Sequence, residues 1–206
     1  MTERAEILRV AELVCARLCH DLSGLIGTLH QTLELAPDDG EALALGRTAA
    51  AELMARLRLL RAAWSAAETS LPLAELAPLA AGLTGARNLT LDLTGVAEAT
   101  VFPPAVGRMV LNLLLLANDS LPAGGRIALS GDATEVFVII DGPHAAWPIG
   151  LALCLVDEGA ARAACSDATT IQMPLTALLA RGMGLRLSLL MATAGNRPAP
   201  LRLTAR

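Results

Sequence analysis

"VCARLCHDLSGLIGTLHQ", residues 14–31, sits inside a longer periodic run. Apolar residues fall at Ile7, Ala11, Val14, Leu18, Leu22, Leu25, Leu29 and Leu33, in steps of three and four. That is the period of an amphipathic helix. Yet the stretch carries Gly24 and Gly27 just beyond His20–Asp21. Interior glycine costs a helix about 1 kcal/mol relative to alanine, so two of them beside a histidine call for a reason. His20 lies two residues past Leu18, about 200° around the helix, and so points away from the apolar stripe. Its neighbours one turn away are Ala16, Arg17, Ser23 and Gly24, with Gly27 a turn further on. This ridge offers a reachable imidazole bordered by nearly bare backbone, which suits close approach by another macromolecule. A carboxylate at Asp21 can take the Nδ1 proton, fix the tautomer and leave Nε2 as a nucleophile. Arg17 can meet a phosphate or a partner's carboxylate. The same spacing also fits an ordinary surface histidine beside an ordinary aspartate.

The surrounding sequence extends the helix into a hairpin. "APDDG", residues 36–40, combines Pro, Asp and Gly as a tight turn does. A second stripe follows at Ala42, Leu45, Ala49, Leu53, Leu57, Leu60 and Trp64. Two long amphipathic helices joined by a short turn make an antiparallel hairpin. Such a hairpin needs cover for its apolar face. The simplest cover is a second copy, giving a dimeric four-helix bundle; the other is the remainder of the chain.

"TSLPL", residues 69–73, reads as a junction that separates residues 1–68 from 69–206. Beyond it the period changes. Helices are expected at 73–83, 103–121 and 174–184, the second opening on proline and the third closing on glycines. "LTLDL" (89–93), "GGRIALSG" (124–131), "LRLSLLMA" (185–192) and "PLRLTA" (200–205) alternate as strands, the last two as a possible hairpin. "EVFVII" (135–140) is a continuous apolar strand. The expected fold is α+β: a helical hairpin followed by an α/β sandwich, one sheet covered by helices.

The bulk numbers narrow the function. Hydrophobic residues are 54% of 206, enough for a real core. Net charge is -4, aromatics are 2% and tyrosine is absent, so phosphate neutralisation and base stacking both lack their residues. Nucleic acid is therefore not an expected partner. Cys15, Cys19 and His20 offer three potential metal ligands and no fourth, and no metal site is expected. The opening "MTERAEILRV" has no signal-peptide core, and no apolar run approaches the ~18 residues of a membrane span. The expectation is a soluble cytoplasmic protein with reduced thiols and no membrane partner. His30 and His144 read as surface residues. Asn112 either faces a cleft at the sheet or belongs to a core helix, and Asp141 either closes a strand over a nucleotide or starts a turn.

"LCHDLSGLIGTL" resembles the phosphoacceptor helix of histidine kinases, and more closely that of the ChpT-like histidine phosphotransferases. The resemblance implies a dimeric helical hairpin followed by a degenerate, ATPase-like domain. It implies a phosphorelay intermediate that accepts a phosphoryl group from the receiver domain of a hybrid kinase and passes it to the receiver of a response regulator. His20 then stands at the phosphorylated position and Asp21 at its acidic neighbour, with Arg17, Ser23, Gly24 and Gly27 as the docking ridge. Leu25 stands where the family and many kinases carry proline, which leaves the helix straighter.

The second half separates phosphotransferase from kinase. "LNLLLLANDSL" resembles the kinase N box, with Asn112 at its first asparagine and Leu116 at its second. "IIDGPHAAW" resembles the Asp-x-Gly-x-Gly box, with Ile140 at the adenine-binding aspartate and His144 at the second glycine. No glycine-rich box precedes residues 174–184, and "RGMGLRL" (181–187) falls at a helix end, where free amide groups are lacking. The resemblance therefore implies no ATP and no cofactor, with Mg²⁺ supplied in the receiver's acidic pocket. An ATP-using kinase with an aberrant site and a non-enzymatic dimeric adaptor for receivers are the competing readings.

Overall fold

A computed structural model describes residues 3–35, 39–66, 68–83, 88–191 and 197–205. Helix α1 runs Glu3–Leu35 and α2 runs Gly40–Trp64, antiparallel to it. The turn expected at 36–40 lies partly outside the described residues. Asp39 caps α2, its side chain accepting hydrogen bonds from the amides of Glu41 and Ala42, which satisfies donors that a helix start leaves free.

After the hairpin come β1 (Leu71–Pro72), α3 (Leu73–Ala80) with a 3-10 turn at Ala81–Leu83, β2 (Leu89–Val96), β3 (Val101–Phe102) and α4 (Pro104–Asp119). Then follow β4 (Gly125–Gly131), β5 (Glu135–Asp141), α5 (Leu151–Val156), α6 (Glu158–Ala164), α7 (Gln172–Gly182), β6 (Arg186–Leu189) and β7 (Leu201–Thr204). The main sheet has the order β2-β4-β5-β7-β6, with β2 and β4 parallel and the other neighbours antiparallel. The two strands expected near the C-terminus do pair, Leu187 opposite Leu203 and Leu189 opposite Leu201. Residue 192, the end of the first, lies outside the described residues.

Register stacks the inward side chains in rows. Ile127 faces Ile140, Leu129 faces Val138, and Val136 faces Leu203. All six are buried. The opposite face is only partly covered and is mixed, holding an Arg202–Glu135 ion pair beside Phe137 and Ile139, as a sheet with one wetter side does. The expected continuous apolar strand at 135–140 thus alternates: Phe137 and Ile139 are only half-buried. Helix α4 is largely apolar and buried on nearly every side, with Val106, Met109, Val110, Leu113, Leu114 and Ala117 all in the interior. The sequence reading assigned nothing to 151–164. There α5 and α6 bury Leu151, Cys154 and Ala161 in the core.

The hairpin joins this core. Leu59, Leu60 and Ala63 of α2 are part of it. Val10, Leu13 and Val14 of α1 pack on Cys165, Ile171 and Leu175. The chain therefore covers one face of its own hairpin. Several residues of the expected stripes remain open, among them Ile7, Leu33 and Leu45. Among the described residues, no helix is long and apolar enough to cross a membrane.

Asn112 does not face a cleft. It is fully buried. Its Nδ2 donates to the carbonyls of Ala63 at 2.7 Å and Arg108 at 3.0 Å, and its Oδ1 accepts from Gln172 Nε2 at 3.2 Å. The C-terminal carbonyls of α2 need donors; Asn112 and Arg108 supply them, Arg108 reaching both Ala63 and Trp64. Asn112 thus pins α2, α4 and α7 together. Replacing Asn112 by alanine strips partners from buried polar groups and opens a small void, a loss of about 2 kcal/mol or more. Urea unfolding measures it, and an unchanged midpoint would refute the pin.

Candidate functional site

On α1 the His20 side chain is 71% exposed while its neighbour Asp21 is 9% exposed. Successive residues on a helix differ by about 100°, so one side chain faces solvent and the next faces the protein. His20 Nδ1 lies 3.5 Å from Asp21 Oδ1. That same oxygen accepts a hydrogen bond from Arg17 Nε at 2.9 Å, and the other, Oδ2, accepts from Arg56 Nη2 at 2.5 Å. Burial opposes the charge on Asp21, but the guanidinium groups of Arg56 and Arg17 outweigh it and hold the carboxyl below its ordinary range.

Arg17 differs from the sequence expectation. Its side chain is 12% exposed and leaves the ridge to turn inward. Nη2 donates to both oxygens of Asp119, at 2.9 and 3.1 Å, and Nη1 donates to the Thr169 carbonyl at 2.7 Å. The physical reason is Asp119. It is the last residue of α4, where the helix dipole disfavours an anion, and burial pushes its carboxyl up despite Arg17. A cation must come to it, and Arg17 is that cation. An Asp167 turn, whose carboxylate accepts from the Thr169 amide at 2.7 Å, shapes the loop that offers the Thr169 carbonyl.

Arg56 is placed by an equally local device. Its Nη1 reaches the carbonyl of Gly82 at 3.4 Å. Gly82 can come that close to α2 because it has no Cβ; one built there would stand 2.6 Å from the Ala55 carbonyl oxygen. Neither Arg56 nor Asp119 was singled out by the sequence. The available signal was weak: an acid ending an apolar helix, with no cation beside it in sequence.

The rest of the ridge is open. A Cβ built on Gly24 or on Gly27 meets nothing within 4 Å. Ser23 is exposed and donates back to the Cys19 carbonyl at 2.6 Å. Cys15 and Cys19 are exposed free thiols. Among the described residues, no group of three or more His, Cys, Asp or Glu side chains gathers as a metal site would. His30 is exposed, as expected, and lies 3.9 Å from Glu34, four residues on.

The positions that resemble nucleotide boxes hold other structures. Ile140 is fully buried in the core. Asp141 pairs with Arg197 at 3.4 Å. His144 is exposed and has φ +59°, a left-handed backbone usual for glycine.

Comparison with known proteins places the chain in a family. Residues 73–195 match the family model of the histidine phosphotransferase C-terminal domain. The chain is 28% identical over 190 residues to the protein phosphotransferase ChpT of Brucella abortus (strain 2308), covering 88% of this chain and 90% of that one. A solved structure of a bacterial phosphotransferase superposes with a TM-score of 0.73 at 26% identity, covering 95% of this chain and 96% of the other. The chain belongs to the histidine phosphotransferase family, enzymes of phosphoryl transfer rather than ATP-dependent kinases.

Proposed function

We propose that His20 is the phosphoacceptor of a phosphorelay, taking the group from a receiver-domain aspartate and returning it to the receiver of a second protein. One observation carries the reading: an outward imidazole with a fixed carboxylate at its Nδ1 side and open backbone beyond it. Nε2 attacks phosphorus, the N–P bond forms as the acyl-phosphate P–O bond breaks, and the receiver's carboxylate leaves. The phosphoimidazolium that results keeps its proton on Nδ1. Asp21, held ionised by two arginines, is a poor base at that point and a good orienting anion. Catalysis of this kind is mostly positioning and charge neutralisation. The Mg²⁺ belongs to the receiver, and this chain uses no ATP or other cofactor of its own. Ser23, Gly24 and Gly27 form the surface on which the receiver rests.

The proposal includes a homodimer acting in the cytoplasm. On α1, Leu8, Cys15, Leu22 and Leu29 recur every seven residues, as do Cys19, Ile26 and Leu33. This is the spacing of a helix–helix seam. Leu8, Ile26 and Leu33 are exposed in the single chain. On α2, Leu43 and Leu57 lie fourteen apart, both exposed, with Met54 beside them. A second copy covers this seam and completes a four-helix bundle, with residues 1–68 as the transfer unit and 69–206 as its support.

Incubation with a phosphorylated receiver domain tests the acceptor: label reaches the wild type and not His20→Ala. Label that persists in that variant, or never enters the wild type, removes the proposal. In the same assay Gly24→Leu slows transfer by about tenfold or more through lost clearance, while the helix is unharmed or firmer; unchanged transfer refutes the clearance. Sedimentation tests the seam. The wild type runs as a dimer and Ile26→Glu as a monomer, and a monomeric wild type overturns the dimer.

A further inference from the structure

We infer that Asp119, in the second domain, is a positioning residue for the acceptor histidine: through Arg17 it fixes the Asp21 carboxylate against which His20 is set. The inference rests on the reading of His20 as acceptor. It goes further by giving the degenerate domain a part in the transfer step.

The argument is geometric. A guanidinium is a rigid planar fork, so its N–H directions cannot be chosen separately. Arg17 has Nη2 on Asp119 and Nη1 on the Thr169 carbonyl, both in the second domain. With those two arms fixed, the direction of the remaining Nε–H is fixed too, and it meets Asp21 Oδ1 at 2.9 Å. That oxygen is the one 3.5 Å from His20 Nδ1. The second oxygen is held by Arg56, which is itself tied to Gly82. The carboxylate facing His20 therefore has no freedom of its own. Its place is set by α4 on one side and by α2 on the other.

The charges alternate along this ladder: Asp119 negative, Arg17 positive, Asp21 negative, Arg56 positive. These four are the charged groups that face His20 through the ladder, from α4, α1 and α2. Removing either end takes one of two partners from its inner neighbour, so the Asp21 carboxylate loses its anchoring from that side. A residue that merely held the domains together would not change the rate at saturating receiver while leaving receiver binding alone, nor be rescued by another carboxylate at the same place.

The experiment uses the full chain with a phosphorylated receiver domain as donor, and follows the maximal transfer rate and the half-saturating receiver concentration. Asp119→Asn is expected to lose about tenfold in maximal rate with the half-saturating concentration unchanged. Arg56→Gln is expected to lose rate in the same way, and Asp119→Glu restores most of the rate. A wild-type rate in Asp119→Asn overturns the inference. So does a loss seen only in the half-saturating concentration, which would make Asp119 a docking residue. If Asp119→Asn does not fold, Arg56→Gln decides alone: a lower maximal rate at unchanged half-saturating concentration supports the ladder, and a wild-type rate refutes it. Label retained by His20→Ala would instead strike the acceptor reading, separately from the ladder.

Discussion

An acid that ends a buried helix must find a cation, and in this protein the search crosses from one half of the chain to the other. Asp119 finds Arg17, 102 residues earlier. Because Arg17 also holds Asp21, and Asp21 holds Arg56, one electrostatic need ties α4, α1 and α2 together beneath the exposed face of His20. The apolar contacts of α1 with Ile171 and Leu175 set the same two halves against each other over a wider area. The ion pairs decide in what orientation.

Buried ion pairs of this kind add little net stability, since desolvation consumes most of the attraction. Removing one partner is another matter and costs about 3–5 kcal/mol, because a charge is left behind. The ladder therefore acts as a constraint on arrangement more than as a source of stability. Stability comes from the core: the buried α4, the stacked rows of the sheet and the end of α2 that packs on α4. Asn112 belongs to that core. Its side chain completes the end of α2 and links it to Gln172 of α7.

Much of this was legible in the chain. The long helices announce themselves because their periods run for many turns, and the strands of the sheet because their alternation puts one face in oil and one in water. The outward direction of His20 follows from helix geometry relative to Leu18. Three things were hidden. Helices α5 and α6 are six and seven residues long, too short for a stripe to repeat. Asn112 in an apolar run has no sequence mark to distinguish a cleft from a pin; the carbonyl of Ala63 decides, and it arrives from 49 residues away. Arg17 was placed correctly on its helix but assigned to the wrong neighbours. Its angular position leaves it free to lean either way, and only Asp119 and Thr169 determine which.

The turn after β5 has one more consequence. His144 holds a backbone shape that glycine adopts without strain, at a place where the nucleotide-binding box it resembles has glycine. Amide groups of Ala145 and Ala146 bond to the carbonyls of Gly142 and Ser120 and hold the main chain in that course. A side chain stands on that turn where glycine would leave bare main chain. The imidazole is exposed, while Ile140, four residues earlier, is sealed in the core. Any group approaching the turn therefore meets a ring before it meets an amide.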